Sequence, residues 1–92
     1  MNKVRLKQKI NQKIRDGLVK YSDHTYAELE QDNFTSDDLD FALQNYDVNI
    51  EFTHDVTHNR YELIGYTEDN RAIGIVIMFR GDFLFIKTVY EL

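Results

Sequence analysis

The sequence contains no cysteine, which excludes disulfide bonds and any chemistry that needs a thiolate. Without cysteine, a reducing location such as the cytoplasm is the expectation. No apolar run approaches the roughly 20 residues that a membrane-spanning helix needs, and no signal-peptide pattern opens the chain. Proline is also absent, so helices and strands must be separated by Gly, Asn, Asp and Ser. We therefore expect a cytoplasmic globular protein without a membrane segment.

Basic residues are concentrated at the start of the chain. The net charge is −5, yet seven of the eleven basic side chains lie in the first twenty positions, where Asp16 is the single acid. The remaining residues carry four basic and fifteen acidic side chains. A basic N-terminal segment of this kind predicts one of two roles. It either binds nucleic acid or another anionic partner, or it packs against the acidic remainder of the same chain, and we favour packing. The candidate contact residues are Lys3, Arg5, Lys7, Lys9, Lys13, Arg15 and Arg71.

The first helix is predicted over residues 3–16. Leu6, Ile10 and Ile14 recur at four-residue spacing and form one apolar stripe, while Lys and Arg occupy the opposite side. Gly17 follows the last periodic residue and is expected to end the helix in the left-handed conformation.

Two shorter helices are predicted before the chain changes period. Ser22 is the expected N-cap of a helix over residues 23–32, which Asn33 ends. Thr35 with Asp38 three residues later fits a capping box for the next helix, which runs to about residue 44.

After residue 45 the apolar residues alternate, which predicts strands. Val19 to Tyr21 is also expected to be extended. The four predicted strands are Asn49 to His54, Arg60 to Thr67, Arg71 to Phe79 and Asp82 to Tyr90. The third is apolar on both faces and should be central. The domain is thus predicted as α+β, with about three N-terminal helices packed on a four-stranded antiparallel meander. Residues 1–92 form one domain: a basic helix in 1–17, two helices in 22–45 and the sheet in 48–92.

The last two strands predict a sheet face that lacks a cover. Arg80-Gly81 is the expected hairpin turn, with Phe79 opposite Asp82. The face that points away from the predicted core, called here the second sheet face, carries Val76, Met78, Phe83, Phe85 and Lys87. It is too apolar to be fully hydrated, so either the basic helix or a partner protein should cover it.

No metal or cofactor is expected. His54 and His58 flank Asp55 in "FTHDVTH", a spacing that no common zinc motif uses. His24, near a helix start, is a candidate general base or phosphate ligand, and its alternative role is a local structural hydrogen bond. Metal-independent RNA cleavage needs a base and fixed cations. The catalytic candidates are His24, Arg60, Lys87 and Tyr90.

Four segments together resemble a small prokaryotic family labelled a domain of unknown function: "IRDGLVKYSDHT", "FTSDDLDFALQN", "RYELIGYTEDNRAIGIVI" and "IKTVYEL". That family is similar to the BrnT and RelE toxins, in the barnase–EndoU–colicin–RelE group of metal-independent ribonucleases. The resemblance implies a toxin-like fold, possible membership of a toxin–antitoxin pair, and matching positions for His24, Arg60, Arg71, Thr88 and Tyr90.

The chain departs from the family pattern on the helix that follows the histidine. Glu28 and Asp32 stand where the family places arginines, and Asn33 stands where it has glycine. Two anions near the presumed base disfavour a bound phosphate. We therefore expect a toxin-like domain with degenerate or absent ribonuclease activity that acts through a protein partner, antitoxin-like or a second copy. The alternative is a metal-independent mRNA endoribonuclease toxin, for which RNA is the partner.

Overall fold

The computed structural model describes residues 2–49 and 60–92, and in these ranges the chain folds as α+β. The elements, in chain order, are α1 (Lys3–Arg15), β1 (Val19–Tyr21), α2 (Thr25–Gln31), α3 (Ser36–Ala42), β2 (Tyr46–Asn49), β3 (Arg60–Tyr66), β4 (Ala72–Arg80) and β5 (Phe83–Glu91). The three predicted helices are present, but β1 lies between α1 and α2, so the helices do not all precede the strands. The first strand of the predicted meander, Asn49 to His54, is shifted, because β2 begins at Tyr46 and ends at Asn49. The rest of that prediction, together with His54, Asp55 and His58, lies outside the described residues.

The sheet has five strands in the order β1-β5-β4-β3-β2, which corrects the expected four-stranded antiparallel meander. The additional strand is β1, whose three residues pair in parallel with β5, Lys20 lying opposite Phe85. The other pairs are antiparallel. Three residues are too few to show an alternating pattern, and the partner of β1 lies more than 60 positions further along the chain, so the sequence indicated only an extended segment here.

The turn between β4 and β5 is displaced by one residue from its predicted position. Gly81 and Asp82 form it, so that Phe79 pairs with Leu84 and not with Asp82. Gly81 has a φ of 55° while Asp82 does not have a positive φ. This combination is the one a type II′ turn requires, with glycine at its first central position. The pairing moves by two residues, so the side chains between the turn and Ile86 keep their predicted faces.

Several predicted helix ends are confirmed. Gly17 has a φ of 71°, and the Leu18 N–H donates to the Lys13 carbonyl at 2.9 Å, which closes α1 with a Schellman motif. Thr35 and Asp38 form the reciprocal capping box at the start of α3. These bonds join residues a few positions apart, and local sequence is therefore sufficient to predict them.

The start of α2 differs from the prediction. His24, and not Ser22, occupies the N-cap position, and its side chain makes no capping hydrogen bond. The Ser22 hydroxyl lies 2.7 Å from the hydroxyl of Thr25, a fully buried residue. Asn33 ends the helix with a φ of 59°, as expected.

The core lies between one face of the sheet and the helices. Its fully or nearly fully buried members include Leu6, Ile10, Leu29, Leu39, Leu63, Ile73, Ile75, Ile77, Leu84, Ile86 and Val89. Gly65 of β3 lets α3 approach closely, because a Cβ at this position would lie 2.8 Å from the Ala42 Cβ and carbonyl oxygen. Since α1 packs on the core face through Leu6 and Ile10, it does not cover the second sheet face, which corrects one of the two expectations.

Within the described ranges, no helix is long and apolar enough to cross a membrane.

Candidate functional site

The second sheet face carries more positive charge than the sequence pattern suggested. By strand register it also presents Lys20 of β1, Arg80 of β4, and Arg60, Glu62 and Ile64 of β3, with Thr88 and Tyr90 of β5. Arg60, Met78, Phe85 and Lys20 form one row across four neighbouring strands. Strands lie about 4.8 Å apart, so two cations stand at the ends of a row roughly 15 Å long.

Two cations of this face lie against phenylalanine rings. The Lys20 ammonium is 4.0 Å from the ring centroid of Phe83, and the Arg80 guanidinium carbon is 4.4 Å from that of Phe85. Both rings are half-buried, whereas Lys20 and Arg80 are exposed. Such contacts hold a charged group over an aromatic face by electrostatic attraction to the ring quadrupole.

A bulge in β5 brings Lys87 to this region. Val76 pairs with Thr88 whereas Ile77 pairs with Ile86, which leaves Lys87 as the additional residue of β5. A bulge of this kind redirects a side chain. Lys87 lines an open pocket of about 390 Å³, whose walls are Tyr21, Ser22, Asp23, His24, Arg80, Phe85 and Lys87.

His24 reaches the pocket because the chain leaves β1 there and begins α2. Its side chain is 59% exposed, and its Nε2 lies 3.9 Å from the Glu28 Oε2 one turn further along the helix. That separation exceeds a hydrogen bond. The pocket therefore combines an accessible imidazole with two cations, Arg80 and Lys87, and one anion, Asp23.

Glu28 and Asp32, which were expected to make the surroundings of His24 negative, are bonded to the edge of β5. The Glu28 carboxylate accepts from the Thr88 hydroxyl and, at 3.2 Å, from the Val89 N–H. The Asp32 carboxylate accepts from the Glu91 N–H at 2.9 Å. Beyond the short β1, α2 thus supplies acceptors that a neighbouring strand would otherwise provide. The two carboxylates therefore stabilise the contact between α2 and β5, and neither lines the pocket.

Arg71 is held by contacts within the fold. Its Nη1 and Nη2 donate to the Asn33 and Asp32 carbonyls at 2.8 and 2.7 Å, and Nη2 lies 2.9 Å from the Glu91 carboxylate. Its guanidinium lies 4.1 Å from the centroid of the Phe34 ring. The pKa of Arg71 is raised, mainly by its hydrogen bond with Glu91. This residue therefore secures the end of α2.

Three of the six cations on α1 contact the protein's own residues. The Lys3 ammonium lies 2.7 Å from the Asp47 carboxylate, and this hydrogen bond is the main cause that lowers the pKa of Asp47. Lys7 lies over the ring of Tyr46 and Lys9 over that of Phe79. Arg5, Lys13 and Arg15 complete the basic set of the helix.

The four predicted catalytic residues do not form one cluster. His24 and Lys87 line the same pocket, but Arg60 and Tyr90 do not. Arg60 lies in the cross-strand row, and the ring of Tyr90 covers Gly74 on the same face.

Sequence reasoning missed Arg80 and Lys20 as site residues. Arg80 had been assigned to the hairpin turn, although its alternation with Val76 and Met78 already indicated its face. No sequence signal indicated Lys20, because its position depends on the parallel pairing of β1.

Among residues 2–49 and 60–92 there is no cluster of three or more His, Asp or Glu side chains that could hold a metal ion.

Comparison with known families gives one match, a family model described as domain of unknown function (DUF4258), which covers residues 21–91. No curated protein and no solved structure matches the chain. The match confirms the expectation of a domain of unknown function, and the likeness to BrnT and RelE toxins stays a hypothesis.

Proposed function

Since the chain belongs to the DUF4258 family, for which no function is known, we propose from its own site that it binds RNA on the second sheet face and cleaves it without a metal ion. The observation that carries the proposal is the convergence of His24, Arg80 and Lys87 on one open pocket.

The pocket offers the parts that this reaction needs. In RNA, the 2′-oxygen attacks the adjacent phosphorus while the bond from phosphorus to the 5′-oxygen breaks, which leaves a cyclic phosphate. His24 is the candidate to take the 2′-hydroxyl proton, and the departing 5′-oxygen takes a proton from water. Arg80 and Lys87 would bind the phosphate and stabilise the negative charge that develops on its oxygens.

From the sequence, Glu28 and Asp32 were expected to disfavour a phosphate bound near His24. Both carboxylates accept hydrogen bonds from β5, so backbone N–H groups partly compensate their charge. Neither lines the pocket, although the Glu28 Oε2 lies 3.9 Å from the His24 Nε2. The resemblance to metal-independent toxin ribonucleases agrees with this proposal, as does the presence of Lys87 and His24 in the same pocket.

A second candidate is a protein–protein role, with an antitoxin-like protein or a second copy on the second sheet face. Its support is that Met78, Phe83 and Phe85 are only half-buried and that α1 packs on the opposite face. The two candidate functions are compatible, because a protein partner that covers the second sheet face would also block the pocket and so prevent RNA cleavage.

The test is an RNA cleavage assay with purified protein, an unstructured RNA and excess EDTA. His24→Ala and Lys87→Ala are compared with Arg5→Ala, which removes the same charge as Lys87→Ala from an exposed position on α1. Arg5 is a contact candidate by sequence, but α1 packs on the opposite face of the sheet, so this variant also tests whether the basic helix takes part. We expect cleavage by the wild type and by Arg5→Ala, and its loss in the two pocket variants.

Two outcomes would contradict the proposal. Equal cleavage by wild type and His24→Ala would remove this histidine from the reaction. A wild type that neither binds nor cleaves RNA would leave the protein–protein candidate as the function of the face.

A further inference from the structure

Resting on the proposed function, we infer that the second sheet face is a platform for unpaired bases, and that the RNA it takes is therefore single-stranded. Phe83 and Phe85 alternate along β5, so both rings lie on this face with their Cα atoms roughly 7 Å apart. Each ring bears a cation, Lys20 or Arg80, at 4.0 and 4.4 Å. Aromatic rings and guanidinium planes are the groups on which splayed bases stack.

Charge complementarity favours a polyanion as the occupant. Residues 21–92 contain only four basic side chains against fifteen acidic ones. Arg71 is engaged at the end of α2, and the other three, Arg60, Arg80 and Lys87, lie on the second sheet face or at its pocket, where Lys20 joins them. The other six basic side chains belong to α1, on the opposite side of the sheet. Four of the five cations outside α1 therefore lie on the second sheet face or at its pocket, and this local excess of positive charge attracts phosphates.

Most acids at or beside this face are engaged by other groups. By register Asp47 of the edge strand β2 lies on it, and its carboxylate is 2.7 Å from the Lys3 ammonium. The Glu28 carboxylate accepts from Thr88 and Val89. Glu62 is buried, with its carboxylate 2.7 Å from the Asn49 amide that donates to it. Asp23 lines the pocket from the turn that precedes α2. A purely apolar partner would have to remove water from four cations, which costs free energy unless the partner supplies anions.

Single strands fit better than a duplex because only unpaired bases expose their faces. In A-form RNA the bases are stacked inside the helix, and a protein contacts mainly phosphates and 2′-hydroxyls. Rings that are half-buried in a sheet cannot enter such a stack, whereas an extended strand can place successive bases on Phe83 and Phe85 and its phosphates beside Arg80 and Lys87.

The experiment measures binding of a labelled, unstructured 2′-deoxy oligonucleotide and of a duplex of the same sequence, by fluorescence anisotropy. The deoxy strand has no 2′-hydroxyl to attack the phosphate, so binding is read independently of cleavage. Phe85→Leu keeps an apolar side chain but removes the ring, and Phe41→Leu, on the exposed part of α3, is the matched control. We expect Phe85→Leu to weaken binding roughly 5- to 150-fold, the effect of one stacked base, and Phe41→Leu to leave it unchanged.

Equal affinity for the single strand and the duplex would overturn the inference, and that comparison uses the wild type alone, so it does not depend on how well a variant folds. Equal binding by Phe85→Leu and Phe41→Leu would also overturn it. If RNA cleavage by wild type still depends on His24 in that case, the proposed function stands and only the platform is lost. If the deoxy strand binds in a Phe85-dependent way but RNA is never cleaved, the platform stands without the enzyme.

Discussion

Replacing Glu28 by alanine tests whether this acid holds the fold together or belongs to the site. Its carboxylate accepts from the Thr88 hydroxyl and the Val89 N–H. Hydrogen bonds to a charged group contribute about 1.5–3 kcal/mol each. The Glu28 side chain is 25% exposed, so water can replace part of the loss. We therefore expect Glu28→Ala to lower the free energy of unfolding by about 2 kcal/mol, less than the sum of two such bonds.

The assay is urea unfolding followed by circular dichroism, with Glu30→Ala as the control. Glu30 lies on the same helix and is exposed, so both variants remove one negative charge and gain the same helix propensity. A difference of 2 kcal/mol corresponds to roughly 8–16 °C in melting temperature for a domain of this size. Glu28→Gln should fall between the wild type and Glu28→Ala, because a neutral amide still accepts from the Val89 N–H but less strongly.

Two results would refute this reasoning. One is equal stability of Glu28→Ala and Glu30→Ala, which would mean that the bonds to β5 contribute nothing measurable. The other is RNA binding by Glu28→Ala that is more than about tenfold tighter than by Glu30→Ala, a difference of about 1.4 kcal/mol. Such a gain would show that Glu28 repels phosphate at the site.

Two further predictions concern stability. Burial raises the pKa of Tyr46 to about 12 from an ordinary 10.0, so the stabilisation that this residue contributes is complete below pH 10 and is lost as the pH rises towards 12. Between about pH 9 and about pH 11, urea unfolding should therefore show a smaller loss of stability for Tyr46→Phe than for wild type. An equal loss in the two proteins would contradict this pKa shift. Gly65→Ala should lower the free energy of unfolding by about 2 kcal/mol, because the new Cβ would lie 2.8 Å from Ala42. Urea unfolding of this variant and of the wild type measures the difference, and unchanged stability of Gly65→Ala would contradict the close approach of α3.

Features that depend on neighbours in sequence were predictable. The helix end at Gly17 and the capping box of Thr35 and Asp38 each join residues within five positions of one another. The alternation assigned β4 and the first part of β5 to the correct faces although the turn was misplaced, because a shift of two residues preserves the face. The sequence by itself therefore determined the α+β class and the faces of these residues, but not the bulge at Lys87, beyond which the alternation is reversed.

Features that depend on distant pairing were decided only by the tertiary structure. Glu28 and Val89, which form a hydrogen bond, are 61 positions apart, and Lys20 meets the rings of β5 only because β1 pairs with that strand in parallel. The local sequence pattern does not show which strands become neighbours, because strand pairing depends on how the whole core packs. Glu28 and Asp32, which the sequence suggested would damage a site, accept hydrogen bonds from the edge of β5. Four cations that are distant in sequence, Lys20, Arg60, Arg80 and Lys87, lie on or beside one face because the strands that carry them are neighbours.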